Sequence, residues 1–145
     1  MRFSWMAERA LDVAKAYMAD REAFGESLSE KQAQRFAVAE AETELHAART
    51  MVRDAAGKIA GGAEARIEVA MAKVFTARVA QETVDPAVQC CGGNGISRDL
   101  PLADFYEAVR AFRIVDGADE VHKRSIVWAA FEETDPAEIE PVVRY

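Results

Sequence analysis

The chain has 145 residues and a formal net charge of −7 at pH 7, with 50% of its residues hydrophobic and 30% charged. That length and balance set a single soluble domain with one core as the expectation, and the negative charge argues against non-specific nucleic-acid binding. No basic segment followed by an apolar core opens the sequence, and no apolar run reaches membrane-spanning length, so a cytoplasmic setting without membrane insertion is expected.

The stretch "SWMAERALDVAKAYMADR" reads as a first helix, with Ser4 as its N-cap and an apolar stripe of Trp5, Ala10, Leu11, Ala14, Tyr17 and Met18. A turn follows in "EAFGESLS". "SEKQ", residues 29–32, fits a capping box that opens a second helix. The inward positions of that helix are Phe36, Ala39, Leu45, Ala48, Met51, Val52, Ala55 and Ile59, and Gly61-Gly62 stops it. A third helix covers residues 63–91, with Ile67, Ala70, Met71, Val74, Ala77, Val84 and Val88 inward. Asp85-Pro86 should kink it, or break it with Asp85 capping a new helix. "GGNGISRDLP" reads as a loop, residues 102–115 as a fourth helix, and residues 118–132 as a fifth after an Asp116-Gly117 break. No strand-like alternation is present. The expected fold is therefore all-α, an up-and-down four-helix bundle over residues 1–133, with 134–145 a loose tail holding two prolines.

Adjacent Cys90 and Cys91 could form a disulfide only in strained geometry, so free thiols are expected. His46 and His122 stand at no metal-ligand spacing, and no metal site is expected.

Three features exceed what a plain bundle needs. Arg21 stands at a helix end beside a Phe-Gly turn, Gln89 precedes a cluster of glycines, and Asp116-Gly117 interrupts helical sequence with two poor helix formers. Each has a structural reading as well. Arg21 can neutralise a helix C-terminus, the glycines can form a C-cap and a turn, and Asp116 can cap the last helix. The glycine cluster follows no strand and lacks the full dinucleotide pattern, so alone it is weak support for phosphate binding.

Taken together, "AERALDVAKAYMADREAFGESLSEKQ", "AARTMV", "EVAMAKVFTA", "AVQCCGGNGISRDLP" and "RIVDGADEVH" resemble, in order and spacing over residues 2–130, the C-terminal helical domain of acyl-CoA dehydrogenases. The resemblance implies an FAD-dependent oxidation of the Cα–Cβ bond of an acyl-CoA. In that chemistry a carboxylate takes the α-proton, while the flavin performs the redox step. Asp116 stands where the family commonly has a Glu. Asp reaches about 1.5 Å less far, but the run "DGADEVH" is similar to a subgroup in which Asp is the regular occupant. His122 belongs to the same signature and is assigned a structural role.

The resemblance also implies cofactor contacts, several of them across a subunit boundary. Arg21 matches an Arg that reaches the FAD pyrophosphate of a neighbouring subunit, a task suited to guanidinium. Phe24 matches the aromatic beside it, and Gln32 a Gln on the adenosine side, although a capping role explains Gln32 equally well. Gln89, Gly92 and Gly93 match a second cross-subunit cluster. Ala118 stands where the family often has a Thr, so a side-chain hydrogen bond is lost there, and Glu120 matches the next contact. A homodimer or tetramer, and electron-transfer flavoprotein as electron acceptor, are implied with them. The match covers the last third or so of a usual family member. The N-terminal helical and middle β-domains are expected to be supplied in another chain or by a longer protein, the 145 residues alone being inactive. The competing expectation is a catalytically inactive helical oligomerisation module that keeps the fold but binds no FAD.

Overall fold

The computed structural model describes residues 2–132, and the expected tail at 134–145 lies outside the described residues. The elements are α1 (Arg2–Asp20), a two-stranded hairpin of β1 (Glu22–Ala23) and β2 (Glu26–Ser27), a 3-10 turn (Leu28–Glu30), α2 (Gln32–Ala60), α3 (Arg66–Cys91), α4 (Gly93–Ile96), α5 (Leu102–Ala111) and α6 (Asp119–Glu132). The all-α bundle expected from periodicity is what forms, apart from the very short hairpin.

Interhelical ion pairs record the register. Lys15 meets Glu42 at 2.9 Å and Arg49 meets Glu8 at 3.3 Å, so α1 and α2 are antiparallel. Lys58–Glu68 at 2.9 Å and Arg78–Glu44 at 3.3 Å do the same for α2 and α3. These pairs are partly exposed and add little stability. The Phe3 ring packs on Phe112, and Trp5 meets Phe105 edge-on at 6.3 Å between centroids. Helix α5 therefore runs antiparallel to α1 and ends beside its start.

Helix α3 is central and packs against α1, α2, α5 and α6. It is buried on more than one face, at Ala70, Ala72, Thr76, Ala77, Val79, Ala80, Thr83, Val84, Ala87 and Cys91, as expected of a helix enclosed by its neighbours. The core is largely alanine. Ala7, Ala10, Ala14, Ala48, Ala80 and Ala87 join Leu11, Met18, Leu45, Val79, Val84, Cys91, Leu102 and Val109. Small side chains let helix axes approach closely. They also displace the larger apolar residues of the expected stripes, because Trp5, Phe36, Ile59 and Met71 are all exposed.

Several local expectations are corrected. Ser4 lies within α1 and is buried, so it is not the N-cap. The 29–32 capping box does not form. Ser27 instead caps the 3-10 turn by accepting from the Ser29 amide, and Lys31 precedes α2 without a side-chain cap. Of the kink or break expected at Asp85-Pro86, the break is absent, since α3 runs through Pro86. Pro86 and Glu82 are both exposed, so the carbonyl that loses its helical donor sits on the solvent side, where water can satisfy it. The glycine loop contains a helical turn, α4, and the fourth helix stops at Ala111 rather than 115. The stop at Gly61-Gly62 is found, with Gly62 at φ +81°.

Gly95 is buried where α4 meets α3, and a Cβ there would lie 2.3 Å from the Val88 carbonyl oxygen. Gly57, inside α2, faces open space. Gly95→Ala should therefore cost about 1–3 kcal/mol through overpacking, whereas Gly57→Ala should add about 0.5–1 kcal/mol through helix propensity and reduced unfolded-state entropy. Urea unfolding of the two variants against the parent chain measures both.

Candidate active site

The residues singled out from the sequence fall into two groups. The first occupies the end of the bundle shared by the C-termini of α1 and α3 and the N-terminus of α2. Arg21 continues α1 by one hydrogen bond, its amide donating to the Tyr17 carbonyl at 2.9 Å, and its own carbonyl accepts from the Leu28 amide at 2.8 Å. The backbone is thereby fixed while the residue stays exposed, and no ion pair to its guanidinium is found among the described residues. Phe24 and Gly25 form the hairpin tip with φ +58° and +84°. Consecutive left-handed residues suit a two-residue hairpin, but at Phe24 they cost strain that glycine would avoid. The Phe24 ring is 98% exposed, with Lys31 Nζ 5.8 Å from its centroid. Gln32 is the exposed first residue of α2.

Gln89, Gly92 and Gly93 belong to the same end. The Gly92 amide donates to the Gln89 carbonyl at 3.2 Å, ending α3, and Gly92 takes φ +57°. Nothing lies within 4 Å of where a Cβ would stand on Gly92 or Gly93, so this backbone is open to close approach. Cys90 and Cys91 are free, with sulfurs 3.9 Å apart. Burial, then the neighbouring Cys91, pushes the Cys90 thiol up to about 12, and burial raises Cys91 too. Both therefore stay protonated at neutral pH and are poor nucleophiles.

The second group lies between α5 and α6. After Ala111 the chain makes turns through residues 112–118, in which Asp116 (φ +57°) and Gly117 (φ +90°) are both left-handed. Gly117's dihedral requires glycine, and a Cβ there would stand 2.8 Å from His122 Nε2 and displace that ring. His122 Nε2 is 3.1 Å from the Asp116 carbonyl oxygen and ties the turn to the first turn of α6. Asp116 is exposed, and no hydrogen bond to its carboxylate is found among the described residues. Ala118 precedes α6, its carbonyl accepting from Val121 (2.9 Å) and His122 (3.3 Å), so it holds the cap position that the structural reading gave to Asp116. Glu120 is exposed in the first turn.

The residue that organises this corner was not singled out from the sequence. Asp119 is 2% exposed and is the one buried side chain of α6. Its Oδ1 accepts from Lys73 Nζ at 2.9 Å and its Oδ2 from Arg113 Nε at 2.8 Å. Its amide donates to the Arg113 carbonyl at 3.1 Å, and Arg113 also reaches Gln81 at 3.4 Å. Burial alone would push the Asp119 carboxyl up, but the hydrogen bonds and charges of Arg113 and Lys73 outweigh it and hold it below the ordinary carboxylate range. Asp119 looks in sequence like an acidic residue favouring a helix N-terminus, and Lys73 is a lone lysine in α3. Nothing in the spacing announces the pair.

The two groups are well apart. Gln89 stands 16 residues beyond Lys73 along α3, about 24 Å at helical rise. One chain thus presents Arg21, Phe24, Gln32, Gln89, Gly92 and Gly93 at one end, and Asp116, Ala118 and Glu120 toward the other.

The family model for the acyl-CoA dehydrogenase C-terminal domain matches residues 1–131. The chain belongs to the acyl-CoA dehydrogenase family. Among its relatives is a protein named probable acyl-CoA dehydrogenase FadE2 of Mycobacterium tuberculosis, 44% identical over 89% of this chain and 32% of its own length. Acyl-CoA dehydrogenase family member 11 of Gallus gallus is 37% identical over 92% of this chain and 18% of its own length. Among solved structures, butyryl-CoA dehydrogenase of Megasphaera elsdenii superposes with a TM-score of 0.87 at 31% identity, over 89% of this chain and 34% of that one. The chain therefore spans about a third or less of the family members it matches. Among the described residues no helix is long and apolar enough to cross a membrane, and no group of three or more His, Cys, Asp and Glu could hold a metal ion.

The buried pair yields a stability prediction. Asp119→Asn leaves Lys73 and Arg113 without their counter-charge. The loss should be about 3 kcal/mol at pH 7, near the lower end for a broken buried pair because Arg113 is partly exposed. The folded pKa of Asp119 is lowered, so its contribution is complete above the unfolded carboxylate value and is lost as pH falls through the folded one. Urea unfolding of parent and variant should show the gap closing below about pH 4.

Proposed function

We propose that the chain is the catalytic-base domain of an FAD-dependent acyl-CoA dehydrogenase, with Asp116 as the group that takes the α-proton of an acyl-CoA thioester. The observation that carries this reading is the pair of left-handed residues Asp116 and Gly117, which lifts an exposed carboxylate out of the helical register in the chain's family-specific signature. A cap would not need that geometry, and Ala118 occupies the cap position instead.

FAD, when bound, would supply the hydride acceptor. The residues present suit it. The exposed Arg21 guanidinium fits a pyrophosphate, the strained and exposed Phe24 fits a flat contact beside it, and the open backbone at Gly92 and Gly93 permits close approach next to Gln89. Gln32 would serve the adenosine side, with Ala118 and Glu120 at the other corner. About 24 Å along α3 separates these ends, which agrees with cofactor contacts shared between subunits and hence with a homodimer or tetramer. Exposed Trp5, Phe36, Trp128 and Phe131 are consistent with surfaces covered by further protein. Electron-transfer flavoprotein is the proposed electron acceptor. Activity would require the domains supplied by the other two-thirds of the enzyme.

In the enzyme assembled with those domains, Asp116→Asn should keep FAD bound and reduce the rate of flavin bleaching by acyl-CoA by about 10²–10⁴-fold, because Asn preserves the shape but cannot take the proton. Arg21→Ala should instead lower the FAD content of the purified enzyme. Near-parental bleaching by the Asp116→Asn enzyme would remove Asp116 from the mechanism.

A further inference from the structure

We infer that Asp119 is a positioning residue that sets the place of the Asp116 carboxylate, acting through Arg113 and Lys73. The inference rests on the reading of Asp116 as the base.

The Asp116 carboxylate has no hydrogen-bond partner among the described residues, so the region it can reach is limited only by its backbone and its own rotamers. That backbone occupies a conformation that L-residues disfavour, and it keeps it only if the surrounding structure over-determines it. Asp119 provides the constraint. Its amide and its Oδ2 both bond to Arg113, closing the 113–119 segment twice at its base. Its Oδ1 bonds Lys73, anchoring the closed segment to the central helix. His122 then holds the Asp116 carbonyl from the α6 side. The turn is thus pinned at both ends and at its tip, while the functional side chain stays unencumbered.

The charges matter as well as the shape. A neutral residue at 119 would release a half-exposed Arg113 and a largely buried Lys73, the only described cations bonded to this carboxylate. The turn would lose the anchor that joins it to α3, and Arg113 would lose the group that fixes its side chain.

The test uses the 15N-labelled 145-residue chain and then the assembled flavoenzyme. Asp119→Asn and Lys73→Met are compared with Lys58→Met, which breaks an exposed pair elsewhere in the bundle. Amide hydrogen exchange at Ile114, Val115 and His122, whose amides donate to backbone carbonyls around the turn, should quicken at least about tenfold in the first two variants and stay unchanged in the third. Amides in the middle of α1 and α2 should lose no more protection than the global destabilisation of each variant measured by urea unfolding accounts for. If Asp119→Asn does not fold, Lys73→Met carries the test, since it leaves the Arg113 bond intact. In the assembled enzyme Lys73→Met should lower kcat about 10²-fold, the scale expected for an ångström of misplacement, with KM and FAD content within about twofold of the parent. Unchanged exchange in the turn overturns the inference, and so does a loosened turn with parental kcat. Failure of the base reading is seen separately, in the Asp116→Asn enzyme.

Discussion

The last helix of this bundle is held by a charge. Every other long helix contributes alanine, leucine or valine to the core, but α6 buries only Asp119. A carboxylate so enclosed is tolerable because two cations reach it with good geometry from different elements. Hydrophobic contact is non-directional and could let α6 slide or rotate, whereas a two-oxygen acceptor bound by two donors admits one placement. Register and orientation at the α5–α6 corner follow from that placement, and so does the turn that displays Asp116.

The remainder of the fold is arranged around α3. Alanine on facing helices lets them pack closely, so α3 can be enclosed by four partners. The same economy of volume leaves large apolar side chains on the outside, including Trp128, whose ring lies under Arg124 at 4.6 Å, and Phe131. In a chain that spans about a third of its relatives, such surfaces fit contact with the rest of an assembly better than contact with water.

Helix existence was legible because periodicity and glycine stops are local properties. The break at 116–117 and the end at Gly61-Gly62 were read from residues that cannot be helical at low cost. Local patterns misled where tertiary contacts decide. Ser4 and Ser29 look like caps, yet α1 begins earlier and Ser27 takes the capping role. Trp5, Phe36 and Met71 sit at helical spacing, but periodicity identifies an apolar face without saying what covers it. Of the candidate site, Arg21, Gln89, Gly92 and Asp116 could be marked by residue type and by resemblance to the family. Asp119 and Lys73 could not, because 46 residues separate them and each is ordinary in its own helix. Gly95 was one glycine in a cluster, and only the Val88 carbonyl beneath it distinguishes it from its neighbours.

The α6 corner depends on the Lys73–Asp119 contact being a strong, specific tie and not an incidental surface pair. A double-mutant cycle on Lys73→Met and Asp119→Asn, followed by urea unfolding at pH 7, isolates that tie from the general effect of each substitution. The expected coupling is about 1.5–3 kcal/mol, as for a buried charge-assisted hydrogen bond. A coupling below about 0.5 kcal/mol, the range of exposed pairs, would contradict it.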